Sequence, residues 1–145
     1  MAEPDTKMAY DYLSRAWWLD EEINTKLQRL DSLRASTDLI TCYFAREKIS
    51  SSRNDDAVQD HVLQIMEAEE ELNRAIDRLI DLKKEIGEMI NRISDIRVRL
   101  VLEKHYLCFL PWAQIADEMH YSLRWVRATH KAGLEAVQRM LEEAA

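Results

Sequence analysis

The chain has 145 residues, 47% apolar and 32% charged, with only two glycines and two prolines. So few turn-formers exclude a sandwich or a barrel, and the lack of any glycine-rich phosphate loop excludes a doubly wound nucleotide fold. The net charge of −7 is split: residues 1–96 hold 13 Lys/Arg against 21 Asp/Glu, and residues 97–145 hold 7 against 6.

The charged residue types, with Leu and Ala, favour helix, so the expected fold class is all-α. The acidic balance of residues 1–96 argues against nonspecific polyanion binding by the whole chain, and the near-neutral remainder points to a second part with a different task. Cys42 and Cys108 are too few for a disulfide scaffold, and nothing ahead of them reads as a signal peptide. No apolar run approaches the roughly 20 residues of a membrane span. The expected compartment is a reducing cytoplasm, with no membrane partner.

Residues 1–7 are polar, with Pro4. From Met8 to about Arg46, Leu13, Trp17, Ile23, Leu27, Leu30, Leu33, Ile40 and Phe44 recur mostly at steps of three and four, which predicts one long amphipathic helix. Ala35-Ser36-Thr37-Asp38 is its weak point, where a break is possible. Ser50–Asp56 is rich in Ser, Asn and Asp, which compete with the helical backbone for hydrogen bonds, and reads as a loop. Asp55 or Asp56 is placed to cap the next helix. That helix runs from Ala57 to about Ile93, with Val58, Val62, Ile65, Leu72, Ile76, Leu79, Ile86, Ile90 and Ile93 as its stripe. Two long helices with a short connection predict an antiparallel hairpin over residues 1–95. A helix pair alone has little core, so the hairpin either dimerises or packs on the C-terminal segment. Dimerisation is the expectation, with Trp17, Trp18, Ile23, Leu27 and Leu30 as the dimer or partner face.

The cluster Glu67, Glu69, Glu70, Glu71 reads as a solvated face bridged by Arg74 and Arg78. Glu67, Glu70, Glu85 and Glu88 faintly resemble the four-carboxylate magnesium site of all-α nucleotide pyrophosphohydrolases, although such sites place an aspartate where Glu88 stands. His105 and Cys108 lie three apart without a second ligand pair, so packing is the reading there rather than zinc. No nucleophile–base arrangement is legible among Ser14, Ser122 and the histidines. No enzyme activity, metal, cofactor or small-molecule substrate is expected.

The pattern changes at Ile96. A helix Ile96–Leu107 precedes Cys108-Phe109-Leu110-Pro111. A short helix Trp112–Met119, a turn at His120-Tyr121, a capping Ser122 and a helix towards Leu141 follow. This is the outline of a helix-turn-helix over residues 96–145. Ile115, Ala116 and Met119 face Leu123, Val126, Leu134, Val137 and Leu141. The opposite stripe is Arg124, Arg127, Ala128 and Lys131, with no acid between Met119 and Ala132. Such a face fits a major groove, its arginines suited to guanine and Lys131 to phosphate. His120, Trp125 and His130 flank it, within reach of the DNA backbone. Tyr106, Phe109 and Trp112 read as core.

Arg99, Leu100, Leu102, His105-Tyr106, Trp112, Gln114-Ile115-Ala116, Met119, Tyr121-Ser122, Val126-Arg127, His130 and Leu134 make Ile96–Leu134 resemble region 4 of bacterial σ70-type factors. Further upstream, Tyr12-Leu13, Trp18-Leu19-Asp20, Ile23-Asn24, Lys26-Leu27, Ile76-Asp77, Leu79–Lys83, Glu85-Ile86 and Ile90-Asn91 resemble small σ-like transcriptional regulators of phages and prophages of Gram-positive bacteria, near relatives of phage late-gene activators. The resemblance implies a sequence-dependent DNA-binding regulator that reads the major groove with the helix starting at Ser122. Its implied partners are double-stranded DNA, a second copy of the chain, and host RNA polymerase. Three positions depart from the family pattern: His120 replaces the turn glycine, Gln114 a glutamate, and Ala128 a longer polar reader. Base reading is thereby left mostly to Arg124 and Arg127. The alternatives are a small-terminase-like DNA-packaging subunit, or a helical module that binds polymerase without DNA.

Overall fold

The computed structural model describes residues 5–47 and 51–144, and the side chains of 5–42 and 56–144. Among the described residues every regular element is helical: α1 (Lys7–Glu47), α2 (Ser51–Asn91), α3 (Ile96–Leu102), a π-helical turn (Glu103–Leu107), α4 (Trp112–Met119) and α5 (Leu123–Ala144).

One expectation for the long helices fails. The loop predicted at Ser50–Asp56 is already helical from Ser51, so Asp55 and Asp56 lie inside α2 rather than at its start, while Ser50 lies outside the described residues. Low propensity in a few residues is a weak prior against the continuity of a long helix. The single long first helix is present as expected, and it continues through its weak point at Ala35–Asp38. The Ser36 hydroxyl donates to the Ser32 carbonyl and that of Thr37 to the Leu33 carbonyl, which keeps both side chains within the helical hydrogen-bond pattern. The side chain of Phe44 lies outside those described.

The chain divides into two compact units, and the division is not at residue 95. One unit joins Met1–Leu19 to Leu79–Ala145; the other is Asp20–Arg78. Both ends of the predicted 1–95 segment therefore group with the C-terminal helices. In the first unit, Ala9, Leu13 and Ala16 of α1 and Ile86 and Ile90 of α2 share one buried cluster with Leu102, Tyr106, Leu134 and Val137. Of the two ways of covering the helix pair, packing on the C-terminal segment is thus present in this unit. The buried Gln138 side chain supports it by accepting from the backbone N–H of Ala9 at 2.9 Å. Arg15 pairs with Glu85 at 3.6 Å.

In the second unit, Lys26 pairs with Glu71 and Arg34 with Glu69, and the His61 ring N–H donates to the Leu33 carbonyl. Later residues of α1 thus meet earlier residues of α2. Ile23, Leu30, Leu72 and Ala75 are buried.

Asp95 starts α3 by accepting from the Arg97 N–H at 2.9 Å. The Arg99 guanidinium donates to the carbonyls of Ile93 and Ser94 just past the end of α2, where helical partners run out. α3 and α5 approach closely because residue 133 is glycine. A Cβ there would lie 2.9 Å from both Leu102 methyls, and Leu102 is fully buried. A second cluster, Val101, Ile115, Ala116 and Val126, joins α3, α4 and α5.

Candidate nucleic-acid interface

The α4–α5 connection follows from local chemistry. α4 ends in a Schellman arrangement: the His120 N–H donates to the Asp117 carbonyl, and the Tyr121 N–H to that of Ala116. This needs a left-handed residue, and His120 supplies it at φ 59°, ψ 37°. Histidine enters this region more readily than most side chains, at a cost of about 1–2 kcal/mol relative to glycine. Ser122 then caps α5, its hydroxyl accepting from the Trp125 N–H at 3.1 Å.

α5 divides cleanly by face. Val126, Leu134 and Val137 are buried, and Gly133 lies against Leu102. Arg124, Arg127, Ala128 and Lys131 are exposed. Among the described residues no hydrogen bond or ion pair engages Arg124 or Arg127. Ser122 and His120 are also exposed at the edge of this face.

Trp125 does not project. It is half-buried against the second cluster, and its ring stacks on Tyr121 with centroids 3.7 Å apart and planes at 12°. Arg97 in turn donates to the Tyr121 hydroxyl at 3.4 Å and lies 4.0 Å from Asp95. Arg97, Val98, Trp125, Ala128 and Thr129 line an open notch beside the cationic face. Sequence reasoning missed Arg97 and Tyr121 as members of this site. Twenty-four residues separate them, and only the packing of α3 beside α5 brings them together.

His130 is a correction. The sequence places it on the DNA side, whereas the fold half-buries it against an aromatic group. It accepts a hydrogen bond from the Tyr106 hydroxyl, and its ring lies 4.4 Å from that of Trp112. His105 stacks on the other part of the same group, 3.6 Å from Trp112 at 16°, and its Nδ1–H donates to the Leu110 carbonyl. A signal was present in the sequence: His130 lies four residues from both Val126 and Leu134, on the buried side of the helix. Burial, and secondarily the neighbouring His105, push the His130 pKa down to about 4, and burial lowers that of His105. Burial raises the Tyr106 hydroxyl well above its ordinary range, consistent with Tyr106 as the donor.

A pH dependence follows. His130 titrates lower in the folded chain than its ordinary 6.5, so the unfolded chain takes up the proton first. The stability this group contributes is complete above pH 6.5 and is lost as pH falls towards 4. Urea denaturation between pH 7 and 4 should show a shallower decline for His130→Gln than for the parent; equal declines would contradict the burial.

Of the predicted partner residues, Ile23 and Leu30 are buried within their own unit and cannot form an outer face. Leu27, Trp17 and Trp18 are exposed. The two tryptophan rings meet edge to face at 4.8 Å, and with Tyr10, Ser14, Tyr106 and Phe109 they line an open hollow of about 340 Å³. Phe109, at φ 59°, holds a left-handed backbone that a bulky side chain seldom adopts, two residues past the π-helical turn.

The acidic cluster of α2 is engaged by α1, through Glu69 with Arg34 and Glu71 with Lys26. Among the described residues no group of three or more His, Cys, Asp or Glu side chains is arranged to hold a metal, and no helix is long and apolar enough to cross a membrane. No curated protein and no solved structure matches the chain. A protein family of unknown function, DUF1492, matches residues 38–142, and the chain belongs to that family.

Proposed function

We propose that this chain is a sequence-dependent DNA-binding transcriptional regulator of the phage or prophage type, in which an antiparallel helical hairpin carries a σ70 region 4-like helix-turn-helix. In this reading α4, the His120 turn and α5 form the motif, and α5 enters the major groove. One observation carries it: Arg124, Arg127 and Lys131 stand exposed on one side of α5 while Val126, Leu134 and Val137 fix the other side. The short Ala128 between them lets the helix approach base edges closely, and the two arginines have the fork geometry for guanine. Lys131 and Arg97 serve the phosphates on either side. The acidic segment before residue 97 is repelled by the duplex, so the α5 face is the one presented to it. The exposed Trp17–Trp18 pair is the surface assigned to a protein partner, host RNA polymerase being the candidate implied by the σ-like resemblance. The reading includes no catalytic chemistry.

Selection of bound fragments from the host and phage genomes at two salt concentrations tests this. A small set of fragments should be enriched at both. With two or three phosphates neutralised, affinity should fall with a log–log salt slope of about −2 to −3. Recovery of no enriched fragment at either salt would refute the reading.

A further inference from the structure

In the unit Asp20–Arg78, the buried Leu72 and Ala75 mark the side of α2 that packs within its own chain. Val62, Met66 and Ile76 lie elsewhere on the helix and are 42%, 51% and 36% exposed. At about 100° per residue, positions 62, 66, 69, 73 and 76 form one stripe, about a quarter-turn away from the side of Leu72 and Ala75. Two apolar sides a quarter-turn apart belong to a helix with two packing neighbours, and the chain itself supplies one.

The charge along α2 identifies the other. Residues 56–71 hold six Asp/Glu and no Lys or Arg, whereas residues 72–87 hold four Lys/Arg and three Asp/Glu. A parallel copy would set the acidic half against itself. An antiparallel copy sets it against the cationic half. The stripe also fixes the register. With a two-fold axis midway between residues 69 and 73, Met66 of each copy lies opposite position 76 of the other. Val62 lies opposite position 80, where α2 carries a further isoleucine, exposed in the chain. At the centre Glu69, whose Oε1 accepts from Arg34 of its own chain, meets Asn73, whose amide can donate to Oε2; a polar pair in an apolar seam specifies register. Arg74 then approaches Glu70 across the edge of the seam, twice by symmetry.

We propose that α2 docks antiparallel on α2 of a second copy of this chain, forming a homodimer through the Val62–Met66–Ile76 side rather than through Ile23 and Leu30. The inference does not depend on DNA binding, and its test contains no DNA.

Light scattering on the eluting full chain should give twice the 17.1 kDa of one chain. Met66→Glu with Ile76→Glu should give one chain's mass with helix content unchanged, since neither side chain is buried in the chain alone. Arg74→Glu should weaken association tenfold or more, and adding Glu70→Arg should restore it. In a chain with Cys42→Ser and Cys108→Ser, Met66→Cys together with Ile76→Cys should yield a disulfide-linked dimer on oxidation, while Met66→Cys alone should not. A single-chain mass for the parent, or any larger mass that Met66→Glu with Ile76→Glu leaves unchanged, overturns the proposal. So does equal cross-linking by Met66→Cys alone, or failure of the charge exchange to restore association.

Discussion

A fragment of residues 96–145 is expected to show no cooperative thermal transition. The helices it contains close their core with residues it lacks. Leu102, Tyr106, Leu134 and Val137 share their buried cluster with Ala9, Leu13, Ala16, Ile86, Ile90 and Ile93. Removing residues 1–95 opens these to water, and each large apolar side chain so exposed costs about 1.5–3 kcal/mol. Against a typical domain stability of about 5–15 kcal/mol, three or four such losses exhaust the margin. The fragment also loses the Ala9 N–H that Gln138 accepts from. A milder form of the same experiment is Leu13→Ala in the full chain. Leu13 is fully buried, and its truncation should lower stability by about 2–5 kcal/mol in urea titration. A chain in which a short glycine–serine link replaces residues 20–78 should, by contrast, keep its transition, because that chain retains every member of the cluster. Cooperative melting of the 96–145 fragment at the parent's temperature would show that residues 1–95 contribute nothing to the stability of the C-terminal helices.

The same cluster explains what the sequence could and could not disclose. The short-helix signals around the turn are local. Pro111 ahead of α4, a left-handed-tolerant His120 and a capping Ser122 act within a few residues, and the helices begin and end where those signals stand. The inward side of α5 is legible for the same reason, since a 3.6-residue period shows which side is buried. It does not show what buries it. Leu13, Ile86 and Ile90 carry the same stripe whether they face each other, a second copy, or α5, so the stripe alone cannot disclose that they share a cluster with Leu134 and Val137. The contact of Arg97 with Tyr121 is invisible for the same reason. His130 is the reverse case, where its spacing from Val126 and Leu134 placed it inward while its polarity suggested an outward role. The π-helical turn at Glu103–Leu107 and the left-handed Phe109 have no signature in residue type; they follow from fitting α3 and α4 to a shared core.

Arg124→Ala combined with Arg127→Ala is expected to weaken binding to the selected DNA by about 2–4 kcal/mol, roughly 30- to 700-fold in Kd, without altering the thermal transition. The second half follows from the structure: both guanidinium groups are exposed, and among the described residues neither has a hydrogen bond or ion pair to lose. The first half follows from the proposed role. A bidentate arginine–guanine pair is worth about 1–3 kcal/mol of discrimination, and two residues three apart on one helix share neighbouring base pairs, so their losses need not sum in full. The single variants separate reading from positioning. Arg127→Ala should relax preference at one base pair while leaving binding to unrelated DNA nearly unchanged. Lys131→Ala should weaken all sequences about equally and make the salt slope shallower by about 1. A gel-shift titration over a panel of single-base substitutions measures both. If the double variant binds every sequence as the parent does, α5 is not the reading helix. If it weakens all sequences alike and alters no preference, the arginines are phosphate contacts, and specificity must come from the shape of the DNA or from another part of the chain.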